Sequence, residues 1–246
     1  MISFISPAMG FNEDVVPGTT KPMYLDKTLA LKDVLKTKTP LEISKLMGCS
    51  LAIAEATCIR YNTFDKDLCA LLALSGIAYK ELDAKSLDKE SFEFLGDHLI
   101  MCSGLYGALR PSDSITPYRL EMKTKLPIDT NKNLYEYWKD DLYNAISSKS
   151  NGVIVNLASK EYSKCVEKYL QDEVYVTCTF KVNKNNQLKV QSTAAKKARG
   201  AMVRWIATNK IDAWEDLMKF NEDNYTFIQD LSNTSSQVKE LVFVKE

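Results

Sequence analysis

Within the twenty residues from Ser103 to Met122 the chain places Gly104, Gly107, Pro111 and Pro117, a density that neither a continuous helix nor a continuous strand survives. Whatever fold forms must turn repeatedly near the middle of its length. Leu99–Cys102 just upstream reads as a strand, so the block follows a strand end. Between the hinges lie Tyr106, Arg110, Asp113, Tyr118, Arg119 and Glu121, a set able to grip an anion and to position a proton donor or acceptor. The same residues would also suit a long surface loop whose charges are simply solvated.

The rest of the chain alternates between short apolar runs and helical spacing. Ile2–Ile5 reads as a buried first strand ended by Ser6-Pro7, and residues 12–21 as a loop. Asp26–Lys36 has helical spacing. Thr39-Pro40-Leu41-Glu42 is a helix start, with Thr39 capping, Pro40 in the first helical position and Glu42 closing a capping box. That helix runs to about Met47 and stops at Gly48, and Ser50 caps a second helix, a helix-hairpin-helix candidate over residues 39–62. Leu68–Leu74 is apolar enough for a buried strand, and Ser91–His98 suits a helix. Leu134, Trp138, Leu142 and Ile146 recur in steps of four, predicting one amphipathic helix over Asn133–Ser148. Val153–Leu157 reads as a buried strand delivering Asn156 and Ser159, followed by a helix from Glu161 to Tyr169. Val174–Phe180 and Leu188–Ser192 form a hairpin about residues 183–186, Ala194–Asn209 is a helix interrupted at Gly200, and Leu241–Val244 is a closing strand. No uniform βαβ repeat emerges. The expectation is an α+β fold: one domain over residues 1–246, with a mixed β-sheet flanked by helices.

Composition narrows the function classes. With 246 residues, 45% of them hydrophobic, the chain can bury a substantial core, and it contains neither a long apolar span nor a basic leader. A soluble, cytoplasmic monomer with no membrane partner is expected. The six cysteines form no C-x-x-C pair and read as reduced thiols. His98 is the only histidine, which excludes multi-histidine metal sites, and dinucleotide, P-loop and α/β-hydrolase fingerprints are missing. No metal or cofactor is called for. Net charge is zero, yet residues 174–211 hold no acid while carrying Lys181, Lys184, Lys189, Lys196, Lys197, Arg199, Arg204 and Lys210. Lys196, Lys197 and Arg199 fall near the start of a helix, where cations oppose the macrodipole and an anion would relieve them. The segment could attract a phosphate backbone, or folding could neutralise it with acids from elsewhere.

Ser6-Pro7-Ala8, the Ser103–Met122 block, Leu134-Tyr135-Glu136-Tyr137-Trp138, Asn156-Leu157-Ala158-Ser159-Lys160-Glu161-Tyr162 and Lys196-Lys197-Ala198-Arg199-Gly200 together resemble the YaaA peroxide-stress family, in order along nearly the whole chain. The resemblance implies a positively charged cleft, a helix-hairpin-helix element, and a cytoplasmic protein that binds DNA; the acid-free stretch and the lack of a clear base-reading helix add the expectation that double-stranded or structured DNA is bound without reading its sequence. It also implies protection of DNA by limiting damage linked to unincorporated iron. Anion or DNA contacts would come from Ser6, Gly48, Arg110, Arg119, Asn156, Ser159, Lys196, Lys197 and Arg199. Met9 departs from the lysine that usually follows Ser-Pro-Ala in that family. The alternative is an enzyme acting on a nucleic acid or nucleotide, with Asp113, Glu121, Tyr106 and Tyr118 as catalytic candidates.

Overall fold

The structure, a computed structural model, describes residues 1–245. It opens with β1 (Ile2–Ile5), buried at every position, and the two-residue β2 (Gly10–Phe11). Helices α1 (Leu25–Lys36), α2 (Pro40–Met47) and α3 (Leu51–Thr63) follow. The capping box at Thr39 forms as its sequence dictates. The Thr39 hydroxyl accepts the Glu42 N–H at 3.4 Å, and the Glu42 carboxylate accepts the Thr39 N–H at 2.8 Å. Gly48 ends α2 in the left-handed region at φ +58°, and Ser50 caps α3.

The apolar run at Leu68–Leu74 is not one strand. It divides into β3 (Leu68–Cys69), a helical turn α4 (Ala70–Ala73) and β4 (Leu74–Ser75), because β3 and β4 serve different partners in two small ladders. A short apolar run does not distinguish these outcomes. Next come α5 (Ile77–Leu82), which periodicity missed because it is only six residues long, α6 (Lys89–His98), β5 (Leu99–Ser103), β6 (Gly107–Leu109) and β7 (Ser114–Ile115).

The helix expected over Asn133–Ser148 is two, α7 (Leu134–Trp138) and α8 (Asp141–Ser147), broken at Lys139 with φ +46°. Trp138 is fully buried against Gly107 and donates its indole N–H to the Gly104 carbonyl at 3.0 Å, which fixes α7, while Asp141 supplies an acid to the first turn of α8. Then follow β8 (Val153–Leu157), α9 (Lys160–Glu167), β9 (Val174–Lys184), β10 (Gln187–Lys189), α10 (Ser192–Asn209), β11 (Tyr225–Phe227) and β12 (Val238–Lys245). The β9–β10 turn is tighter than expected. Asn185 and Asn186, both at positive φ, make the two-residue turn that matches strand twist. Gly200 does not interrupt α10.

The main sheet runs β11-β12-β9-β8-β1-β5-β6, with β10 paired to β9. Strands β12, β9, β8, β1 and β5 are mutually parallel, while β6, β10 and β11 are antiparallel, so the sheet is mixed and the fold is α+β. Helix α10 packs on α5, α6 and β9, and α8 packs on α9 and on β1, β5 and β6. Taken in chain order, the five parallel strands lie 2-1-3-4-5 across the sheet. From β1 the chain moves to β5 on one side and returns to β8 on the other. In open parallel sheets, such a reversal opens a crevice beyond the carboxyl ends of the strands.

A hydrogen-bonded latch holds α8 to the start of β9. Tyr143 and Ser147 donate to the Glu173 carboxylate at 2.6 and 2.8 Å, and the Gln171 N–H donates at 3.0 Å. Burial alone would raise this carboxyl, but the donors outweigh it and hold it at about 2, below the ordinary 4.5. Its stabilisation is therefore complete above about pH 4.5 and is lost as pH falls toward 2. Thermal melts of wild type should lose Tm across that window more steeply than those of Glu173→Gln; parallel curves would show that the latch adds nothing.

Candidate functional site

The crevice between the ends of β1 and β8 is a cleft of about 360 Å³. Ser6, just beyond β1, accepts the Ser159 N–H at 2.8 Å and donates to the Ser159 hydroxyl at 3.2 Å, so the two strand ends are clamped together. Ser159 leads into α9, and the Tyr79 hydroxyl of α5 donates to the Ser6 carbonyl at 3.0 Å.

Two glycines of the cleft lining permit close packing against their neighbours. A side chain at Gly10 would meet the Ser75 carbonyl at 2.5 Å, and one at Gly76 would meet Ala8 at 2.9 Å. A third, Gly200, lets α10 settle directly on the backbone of α5, which brings Lys196 and Arg199 to the cleft wall. Glu121 and Glu161 line the same cleft. Lys123 pairs with both, at 3.3 and 4.0 Å, and its backbone N–H donates to Glu161 at 3.1 Å. Of the residues singled out in the sequence, Ser6, Glu121, Ser159, Lys196 and Arg199 therefore meet in one place.

Arg199 is the least satisfied of them. It is partly buried, and its buried Nε has no hydrogen-bond partner. Burial lowers its pKa, with the Cys178 thiol opposing the shift. Arg199 also lines a second cleft of about 460 Å³ beside Asn156, Glu167 and Glu240. Asn156 accepts the Ala158 N–H at 2.8 Å and reaches Thr177 at 3.4 Å, holding the turn after β8.

The other candidates are placed elsewhere. Lys197 is exposed and lines neither cleft. Arg110 closes its fork on Asp113, with Nε and Nη2 donating to one carboxylate oxygen at 3.0 and 2.8 Å and Nη2 also donating to the Lys21 carbonyl at 2.6 Å. Fully buried Asp113 also accepts the Arg110 N–H at 2.8 Å and the Thr20 hydroxyl at 2.7 Å. This pair fastens the Thr20–Lys21 loop to the central block.

Tyr106 and Tyr118 are core residues in edge-to-face contact at 5.4 Å, and burial pushes both phenols above their ordinary pKa. The Tyr106 hydroxyl accepts the Thr116 N–H at 2.9 Å, and Ser103 donates to the Tyr118 hydroxyl at 2.6 Å. Arg119 accepts the Tyr61 hydroxyl at its carbonyl, 2.9 Å away, and lines neither cleft; its own Nε is buried without a partner. Gly48 lies on the α2–α3 pair, where its N–H and that of Cys49 both donate to the Ser44 carbonyl.

Sequence reasoning gave no role to Tyr79 or Gly76, which line the main cleft together with Met9, the position that departs from the family's usual lysine. The Ser75-Gly76 dipeptide closing the apolar run was the available pointer to both Tyr79 and Gly76.

Comparison with known proteins supplies the context for this geometry. A family model described as peroxide stress protein YaaA matches residues 1–231. A UPF0246 protein of Clostridioides difficile is 40% identical, with 100% of both chains covered. One from Agathobacter rectalis is also 40% identical, over 96% of this chain and 97% of the relative, and one from Francisella philomiragia is 39% identical over 95% and 97%.

Proposed function

The chain belongs to the peroxide stress protein YaaA family, and on that premise we propose that it serves the oxidative-stress response as a cytoplasmic monomer that binds double-stranded or structured DNA without reading its sequence. One observation carries this reading. Among the described residues, none of the eight cations of the acid-free segment 174–211 makes an ion pair. Arg204 donates to the Leu82 and Asp83 carbonyls and Lys210 to the Ser91 hydroxyl, so even these two meet no carboxylate. Lys184, Lys189, Lys196 and Lys197 are exposed. Cations not engaged in an ion pair are available to phosphate, whose contacts supply most sequence-independent affinity.

The α2–Gly48–α3 pair is proposed as a helix-hairpin-helix contact. With the Gly48 and Cys49 N–H groups used internally, it would offer the first-turn N–H groups of α3 at Leu51 and Ala52. No helix among the described residues is long and apolar enough to cross a membrane.

The test is DNA affinity against salt. Each phosphate contact contributes a slope of roughly −0.9 in a log–log plot, so Lys196→Ala/Lys197→Ala should flatten the slope by about 2. A slope near zero in wild type, or an unchanged slope in the double variant, overturns the reading. Protection against iron-linked damage is proposed to follow from DNA occupancy. Cells carrying the double variant should then lose peroxide survival, and full survival would separate protection from DNA binding.

A further inference from the structure

The main cleft is not a uniform cation site. Lys196 and Arg199 share it with Glu121 and Glu161, and a bare phosphate would be repelled by the two carboxylates. A ligand that brings both an anion and hydrogen-bond donors satisfies the whole set. Resting on the DNA-binding reading, the geometry points to a pocket for a single unstacked nucleotide carrying a guanine-type base, its phosphate on Lys196 and Arg199 and its base edge on Glu121.

Size comes first. At about 360 Å³ the cleft is at the small end of ligand sites, which run roughly 300–1,000 Å³. A stacked base pair does not enter such a space, whereas one nucleotide swung out of a strand, or free in solution, does. Pro7, Ala8, Met9 and Ile77 supply apolar wall for a planar ring.

The anion end is set by the partly buried Arg199 and by the exposed Lys196. The two carboxylates of the cleft are not equivalent. One Glu161 oxygen is already held by the Lys123 backbone N–H at 3.1 Å, whereas the only side-chain partner of Glu121 among the described residues is the largely exposed Lys123 ammonium at 3.3 Å. Glu121 is thus the carboxylate more open to a ligand.

A carboxylate presents two acceptors and no donor. The Watson–Crick edge of guanine presents a ring N–H beside an exocyclic amine, two adjacent donors that match it. Adenine and cytosine put an acceptor next to their amine, and thymine or uracil flanks one N–H with two carbonyls, so each turns an acceptor toward Glu121. The pairing therefore discriminates by repulsion as well as attraction.

The experiment measures GMP and AMP binding by calorimetry, and in parallel the affinity for duplexes carrying one bulged guanine or one bulged adenine, with a fully paired duplex as reference. Wild type should prefer GMP over AMP, and the bulged guanine over the bulged adenine, by about tenfold or more. Glu121→Gln, whose amide offers one acceptor and one donor, should lose that preference and turn toward adenine, a change that a purely structural glutamate would not produce. Equal binding of GMP and AMP, or a guanine preference that survives Glu121→Gln, overturns the assignment. If GMP selectivity holds but no duplex binds, the pocket serves free nucleotides and the DNA reading fails. If the paired duplex binds as well as either bulge and neither mononucleotide binds, the DNA reading stands and the pocket is refuted.

Discussion

Gly200→Ala is expected to destabilise the protein by about 3 kcal/mol or more, although alanine is the better helix former by about 1 kcal/mol. Helix α10 passes through Gly200 without a break, and an added methyl group would lie 1.9 Å from the Ala78 carbonyl oxygen. The oxygen is helix backbone and the methyl carbon is fixed directly to helix backbone, so no rotamer change relieves the clash. The helices must separate by more than an ångström, opening the interface that carries Lys196 and Arg199 to the cleft. Urea unfolding reads the effect directly, as a lower midpoint at unchanged slope. A midpoint equal to or above that of wild type would mean that propensity governs and that α5 and α10 are not in backbone contact.

Arg110→Ala should cost about 3–5 kcal/mol, more than Asp113→Ala. The asymmetry follows from exposure. Asp113 is fully buried, whereas the Arg110 side chain is 31% exposed. Removing the arginine strands a carboxylate with only the Thr20 hydroxyl and one backbone N–H for company; removing the aspartate leaves a guanidinium that can swing toward water. The double variant should be more stable than Arg110→Ala alone, since it no longer buries an unpaired charge. Denaturation of the three variants tests the order, and an Arg110→Ala protein as stable as wild type would show the pair to be ornamental. Loss of DNA binding in an Arg110 variant therefore implicates a phosphate contact only when its stability is measured alongside.

Local chemistry was the legible part of the sequence. Thr39, Pro40, Glu42, Gly48 and Ser50 specify α2 and α3 through bonds made within a few residues, and the structure forms those bonds. The apolar runs at Ile2–Ile5 and Val153–Leu157 likewise became central parallel strands, buried on both faces. Long-range partners decided what was missed. The break at Lys139 serves Trp138, whose indole is anchored at Gly104, 34 residues away. The division of Leu68–Ser75 serves β2 and β7, far apart in the chain.

The site shows the same division. The residues of the Ser103–Met122 block looked like a single binding loop, yet only Glu121 reaches the main cleft. Arg110 and Asp113 satisfy each other, Tyr106 and Tyr118 fill the core, and the glycines accommodate Trp138 and the Leu120 carbonyl rather than a ligand. Side chains able to recognise a ligand are equally able to hold a protein together, and their spacing along the chain does not distinguish the two uses. Ser6 and Ser159 come together only because β1 and β8 pair across half the chain.

That pairing also sets a schedule for the ribosome. β1 is an interior strand made well before either of its neighbours: Ser3 aligns with Leu99 on one side and with Val155 on the other. At roughly 5–20 residues per second, its second neighbour arrives on the order of ten seconds after it. Throughout that interval Ile2, Phe4 and Ile5, all of them core residues in the finished protein, have no completed sheet to enter. The nascent chain therefore carries an apolar strand with its pairing edges open until β5 and β8 are made, and its assembly waits on synthesis rather than on any local folding step.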